Sequence, residues 1–64
     1  MVKFALMAIQ IATGESYAID YNLSKDDCLR WKAIHETMTH VELEPNYRVR
    51  IESVNLTCLV IIPE

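Results

Sequence analysis

Residues 2–11 (VKFALMAIQI) put Val2, Phe4, Leu6 and Ala8 on one side of an extended chain and Ala5, Met7, Ile9 and Ile11 on the other. A strand with one face in the core and one in water alternates apolar and polar positions. This stretch is apolar on both faces, so both call for cover. Ala12-Thr13-Gly14 follows and predicts a three-residue hairpin loop with Gly14 in the left-handed position. Residues 15–21 (ESYAIDY) then alternate, with Tyr17, Ile19 and Tyr21 on one side and Ser16, Ala18 and Asp20 on the other. A three-residue loop sets Ile9 opposite Tyr17, Met7 opposite Ile19 and Ala5 opposite Tyr21, which makes the odd-numbered face of the hairpin its core face. A two-residue Thr-Gly loop would reverse that choice, because a slip of one residue turns every side chain over.

The strongest local signal is Leu23-Ser24-Lys25-Asp26-Asp27-Cys28. Ser24 is an N-cap whose hydroxyl can accept from the backbone N–H of Asp27, the position of a capping-box acid. Leu23 and Cys28 occupy the two staple positions, and Asp26 and Asp27 complement the positive end of the helix dipole. A helix is predicted from Lys25 to near Met38, with Pro45 forbidding continuation. At 100° per residue, Cys28, Trp31, Ile34, His35 and Met38 share a face about 120° wide, with Leu29 and Ala33 opposite. Trp31 reads as the anchor of this helix on the core.

Residues 40–46 (HVELEPN) read as a connector. Residues 47–54 (YRVRIESV) alternate, with Tyr47, Val49 and Ile51 inward and Arg48, Arg50 and Glu52 outward. Asn55-Leu56 predicts a tight turn into a last strand, 57–62 (TCLVII), which is again apolar on both faces. The order is therefore ββαββ, an α+β fold. Strands apolar all round belong in the middle of a sheet and alternating ones suit its edges. The expected four-stranded sheet has the order 2-1-4-3, with strands one and four parallel and the helix on one face. This layout resembles the β-grasp, and in size the immunoglobulin-binding domain of protein G; the likeness is one of architecture and carries no function across.

One helix of roughly 14 residues is about 21 Å long and covers a single face of such a sheet. The uncovered face is expected to carry Phe4, Leu6, Ala8, Leu59 and Ile61, flanked by Arg48, Arg50 and Glu52 on one side and by Ser16 and Asp20 on the other. Contiguous apolar surface with a charged rim marks a contact site. The expected site is thus protein-binding, for a foreign protein or for a second copy in a homodimer, with Phe4, Leu6, Ala8, Arg48, Arg50, Leu59 and Ile61 as its residues.

Composition sharpens this reading. Sixty-four residues amount to one domain, residues 1–64, near the lower limit for folding without disulfides, metal or oligomerisation. Apolar residues make up 52% of the chain, with one Gly and two Pro, which is generous for so short a sequence. The net charge of −3 is interspersed, with no basic stripe, and argues against nucleic-acid binding. The longest apolar runs fall far short of the roughly 20 residues of a membrane helix, and the first residues read as a strand rather than a signal peptide. A cytoplasmic location is the default expectation, and Cys28 and Cys58 accordingly read as two buried thiols rather than a bridge.

Candidate chemistry is thin. Cys28, His35, His40 and Cys58 raise a zinc-binding module as a further alternative, but none of the usual paired ligand spacings occurs, so no metal or other cofactor is expected. Cys58 with His35 as nucleophile and base lacks an orienting third group, and so short a chain leaves little room for a pocket beside its core. The expected protein is not an enzyme. Such a pair as Arg48 and Arg50 is more often a solvated edge-strand face than a binding site, because charged edges block aggregation; their place beside the apolar stripe is what makes them candidates.

The hairpin turning at Ala12-Thr13-Gly14-Glu15, the segment Tyr21–Cys28 and the ending Pro63-Glu64 after a cysteine-containing strand together resemble a group of short bacteriophage and prophage proteins. The resemblance spans most of the chain. It implies a small accessory protein of a bacterial host's cytoplasm that acts by binding a host protein, for instance as an inhibitor of a defence system such as CRISPR–Cas.

Overall fold

The computed structural model describes all 64 residues. Its helix, α1 (Lys25–Glu36), begins where the sequence places it: Ser24 is extended, with φ −69° and ψ 163°, and its Oγ accepts from the Asp27 amide at 3.1 Å. Thr37 ends the helix by turning both its amide and its Oγ1 back to the Ile34 carbonyl. Replacing a serine cap with alanine leaves that amide without its partner and costs about 1 kcal/mol. Ser24→Ala is therefore expected to lower the unfolding free energy measured in urea by that amount, moving the midpoint down without changing the slope of the transition.

The first two strands, β1 (Lys3–Gln10) and β2 (Ser16–Leu23), form the predicted antiparallel hairpin, but in another register. Their loop has four residues, Ile11–Gly14. The Gln10 amide donates to the Glu15 carbonyl at 2.7 Å, and the Gly14 amide donates to the Gln10 carbonyl at 2.8 Å. Gly14 takes the expected positive φ, 77°. The added loop residue pairs Ala8 with Tyr17 and Ile9 with Ser16, one step from the expected alignment. That single step inverts β1, and its even-numbered face becomes the covered one. On β2 the register shifts twice, opposite Phe4–Leu6 and opposite Leu6–Met7. These bulges let Ile19 as well as Tyr17 pack on the core, while Tyr21 is left exposed and Asn22 takes φ 59°.

The expected four-stranded 2-1-4-3 sheet is not formed. Residues expected to be a connector supply β3 (His40–Glu44), which pairs with β4 (Tyr47–Arg50) in a separate two-stranded sheet. Val41 and Leu43 point inward from β3 while His40, Glu42 and Glu44 face water. Between the strands, Pro45 and Asn46 make the turn, with Asn46 at φ 65°, the positive value that the second central position of a type II turn requires. A short 3-10 turn, Ile51–Ser53, then makes the corner expected at Asn55-Leu56. The Ser53 hydroxyl donates to the Arg50 carbonyl at 2.7 Å, and the Ile51 amide ties back to Thr39 at 2.9 Å.

The last strand, β5 (Val54–Ile62), completes a three-stranded sheet of order β2-β1-β5. One strand more than expected reverses the direction in which the chain returns, so β5 runs antiparallel to β1 instead of parallel. From Phe4↔Val60 to Gln10↔Val54 the pairing is regular. It sets Leu6 opposite Cys58, and Cys58 is bonded to Cys28 of α1. The two cysteines are thus a disulfide and not the free thiols expected, with Cys28 fully buried.

Cover for the even face comes in two parts. The helix, clamped by the disulfide, lies over the Leu6–Cys58 end. The β3–β4 hairpin lies over the other end, where Ala8, Val41, Leu43 and Val54 form a buried cluster flanked by Tyr17, Ile19, Val49, Ile51 and Leu56. A polar clasp closes this end: the Gln10 side-chain amide donates to the Tyr47 hydroxyl at 2.8 Å, and the Tyr47 ring meets Tyr17 edge-on at 6.1 Å.

Candidate functional site

A face apolar along its centre and free of cover does exist, but on the side of the sheet opposite to the one expected. Along β1 it carries Met7 and Ile9, and along β5 it carries Leu59, opposite Ala5; past Val60 the register shifts, so that Ile62 lies opposite Lys3 and Ile61 is the extra residue at the strand's end. Leu59 and Ile61 are 47% and 44% exposed, while Met7 and Ile9 are half-buried. Ala5 itself is buried. No element lies over this face, since α1 and the β3–β4 hairpin both sit on the other side.

The seven residues expected to make the contact surface are not brought together. Leu59 remains on the open face, and Ile61 is exposed beside it at the register shift that ends β5. Leu6 and Ala8 have no exposed surface at all and belong to the covered face, a direct result of the one-residue change in loop length. Phe4, on that same face, is half-buried. Arg48 and Arg50 are exposed on β4, opposite Glu42 and His40 of β3, and point away from the inward Val49. They flank the outside of the two-stranded sheet and do not rim the open face, because β4 does not pair with β5. Arg50 spends its charge locally, donating to Glu52 at 2.9 Å.

Sequence reasoning overlooked Met7 and Ile9 as surface residues. The signal was present in the double-sided apolar pattern of residues 2–11; only the loop length decided which alternation faced outward.

Other features offer little chemistry. Trp31 is 41% exposed and is not the core anchor expected; the helix meets the sheet through a narrow face centred on Cys28, with Lys32 and His35 half-buried beside it. His35 Nδ1 donates to the Trp31 carbonyl at 2.8 Å, which leaves the imidazole committed to its own helix. An open cleft of about 490 Å³ lies between Met38–His40 and Arg50–Glu52, with its one guanidinium already paired to Glu52. Burial against the β3–β4 hairpin, reinforced by the nearby Glu15 carboxylate, pushes the Tyr17 phenol up from its ordinary value. At neutral pH Tyr17 is consequently an uncharged packing group. The fold gathers no set of three or more His, Cys, Asp or Glu side chains that could hold a metal ion, and no helix is long and apolar enough to cross a membrane.

No protein-family model matches the chain, and neither a curated protein nor a solved structure does.

Proposed function

We propose that this protein is a small, non-enzymatic binding module that engages another protein through the open face of its three-stranded sheet. The observation that carries the reading is the imbalance of its apolar surface. Only seven of 64 residues are buried, all of them apolar, while Leu59 on the open face is 47% exposed and Val60, Ile61 and Ile62, at the end of the same strand, are 44–52% exposed. A run of that kind, uninterrupted by charge, is typical of a surface that is covered in use. At roughly 1.5–3 kcal/mol for each large apolar side chain fully buried, even partial cover of Met7, Ile9 and Leu59 supplies a few kcal/mol toward binding.

The resemblance to short phage and prophage proteins directs the search for a foreign partner to bacterial lysates, defence proteins included. A reducing cytoplasm as its place of action fits less well with the Cys28–Cys58 bridge, since disulfides persist mainly in oxidising compartments.

The test uses immobilised wild type beside an Ile9→Lys/Leu59→Lys variant, both checked for folding by circular dichroism. At least one protein from the lysate is expected to be retained by wild type and lost with the variant. Identical retained sets on the two columns would remove the open face as the binding surface.

A further inference from the structure

The Cys28–Cys58 bridge joins two sulfurs in unequal surroundings. Cys28 has no exposed surface, and neither has Leu6, which lies opposite Cys58 across the strands. Cys58 is only half-buried, and it stands on β5, an outer strand of its sheet with no neighbour beyond it. Val60, the next residue of β5 on the side that α1 covers, is 52% exposed, so the cover ends between these two positions. A path from solvent therefore enters at the Val60 end and meets the Cys58 sulfur first. The bridge also serves one part of the fold only. Cys28 is the single side chain that α1 buries. The buried cluster of Ala8, Val41, Leu43 and Val54, with the residues packed around it, includes nothing from the helix.

From this asymmetry we infer that Cys58 is a modification site for low-molecular-weight thiols of the glutathione type, and that the adduct unlatches α1. Which sulfur of a disulfide is attacked depends on access, and here access favours Cys58. The lone pair of the entering thiolate forms a new S–S bond to Cys58 Sγ. The Cys28–Cys58 bond breaks, its electron pair leaves on Cys28 Sγ, and that sulfur takes up a proton from water. One disulfide replaces another, so the step needs no oxidant or reductant. Attack of the Cys28 thiolate on the adduct is the same step in reverse and restores the bridge. A tripeptide on Cys58 fills the room beneath the first turn of α1, and Cys28 alone gives the helix too little burial to displace it. The helix is freed, while β1, β2, β5 and the β3–β4 hairpin keep a core of their own. These events take place on the side of the sheet away from Met7, Ile9 and Leu59, and so go beyond the binding reading without depending on it.

The test mixes the oxidised protein with excess reduced glutathione, quenches samples at intervals with N-ethylmaleimide, and maps both labels after tryptic digestion. Trypsin places the two cysteines in separate peptides, residues 26–30 and residues 51–64. Early samples are expected to carry glutathione on 51–64 and maleimide on 26–30. Val60→Trp, which narrows the path at its entrance, is expected to slow the appearance of the adduct severalfold with unchanged circular dichroism before thiol is added. Glutathione on 26–30 in equal or greater amount, no adduct on either peptide, or an undiminished rate in Val60→Trp each overturns the inference. The unlatching is read by hydrogen exchange on Cys28→Ser carrying glutathione on Cys58, an adduct that cannot revert. Amides of α1 are expected to lose their protection relative to the oxidised wild type while those of Val41 and Leu43 keep theirs. Helix amides that stay protected, or protection lost alike along the whole chain, would refute it.

Discussion

Removing the Cys28–Cys58 bridge is expected to destabilise the protein by about 3–4 kcal/mol, the figure for a cross-link closing a loop of this length. The bridge spans 30 residues of sequence and joins the middle of β5 to the first turn of α1. A domain of 64 residues has only about 3–10 kcal/mol of stability in total, by the usual per-residue range. Cleaving the disulfide therefore removes a large share of what holds the chain folded. The effect is concentrated on the helix, which buries one side chain, Cys28, and otherwise meets the sheet through half-buried groups. Urea titrations of the oxidised protein, the same protein under reductant and a Cys28→Ala/Cys58→Ala variant measure this directly. The two bridgeless samples should unfold at much lower urea, with the helical signal lost first or together with the sheet. Coincident curves for all three would show that packing alone seats the helix.

Leu6→Ala is the second large effect. Leu6 is wholly enclosed between β1's neighbours and the helix end of the sheet, opposite Cys58. Truncating a buried leucine loses its transfer energy and leaves a cavity, together about 3–5 kcal/mol. Leu59→Ala, at a position nearly half exposed, should lose about 1 kcal/mol or less. The comparison discriminates between registers. Had the first hairpin closed with three loop residues, Leu6 and Leu59 would share the open face and the two substitutions would be similarly mild. Thermal melts of both variants with the disulfide intact give the answer, and near-equal losses would restore the shorter loop.

Much of the secondary structure was legible in the sequence because its signals are local. The Ser24 cap, the glycine at the end of the first turn, the alternation of 15–21 and the apolar last strand all appear where short-range chemistry put them. What was lost depended on one residue or on distance. The register of the first hairpin hung on whether Ile11 belongs to the strand or the loop, and two hydrogen bonds at Gln10 settle it in favour of the loop. His40–Glu44 reads as a connector because the run is only five residues long, although it alternates perfectly and Pro45-Asn46 supplies a turn. With that strand omitted, the corner was placed three residues too late and the last strand ran the wrong way. The disulfide was discounted on compartment alone, while the approach of Cys58 to α1 follows from an antiparallel β5 that the sequence pattern did not reveal. The site shared this fate: Leu59 is found on the open face because Cys58 does turn inward, whereas the alternation expected beyond it breaks at the register shift after Val60, and Phe4, Leu6 and Ala8 are misplaced with the register of β1.

The middle strand of the sheet, β1, precedes the other four in the chain, yet one of its two neighbours is the fifth. β1 pairs Lys3 with Ile62 and Gln10 with Val54. As the chain leaves the ribosome, β1 and β2 can meet early through their four-residue loop, but the other side of β1 stays vacant until β5 has emerged. Closing contacts over so great a sequence separation is slow compared with forming a helix or hairpin. Until β5 follows, the nascent chain consequently carries a sticky, half-satisfied ribbon.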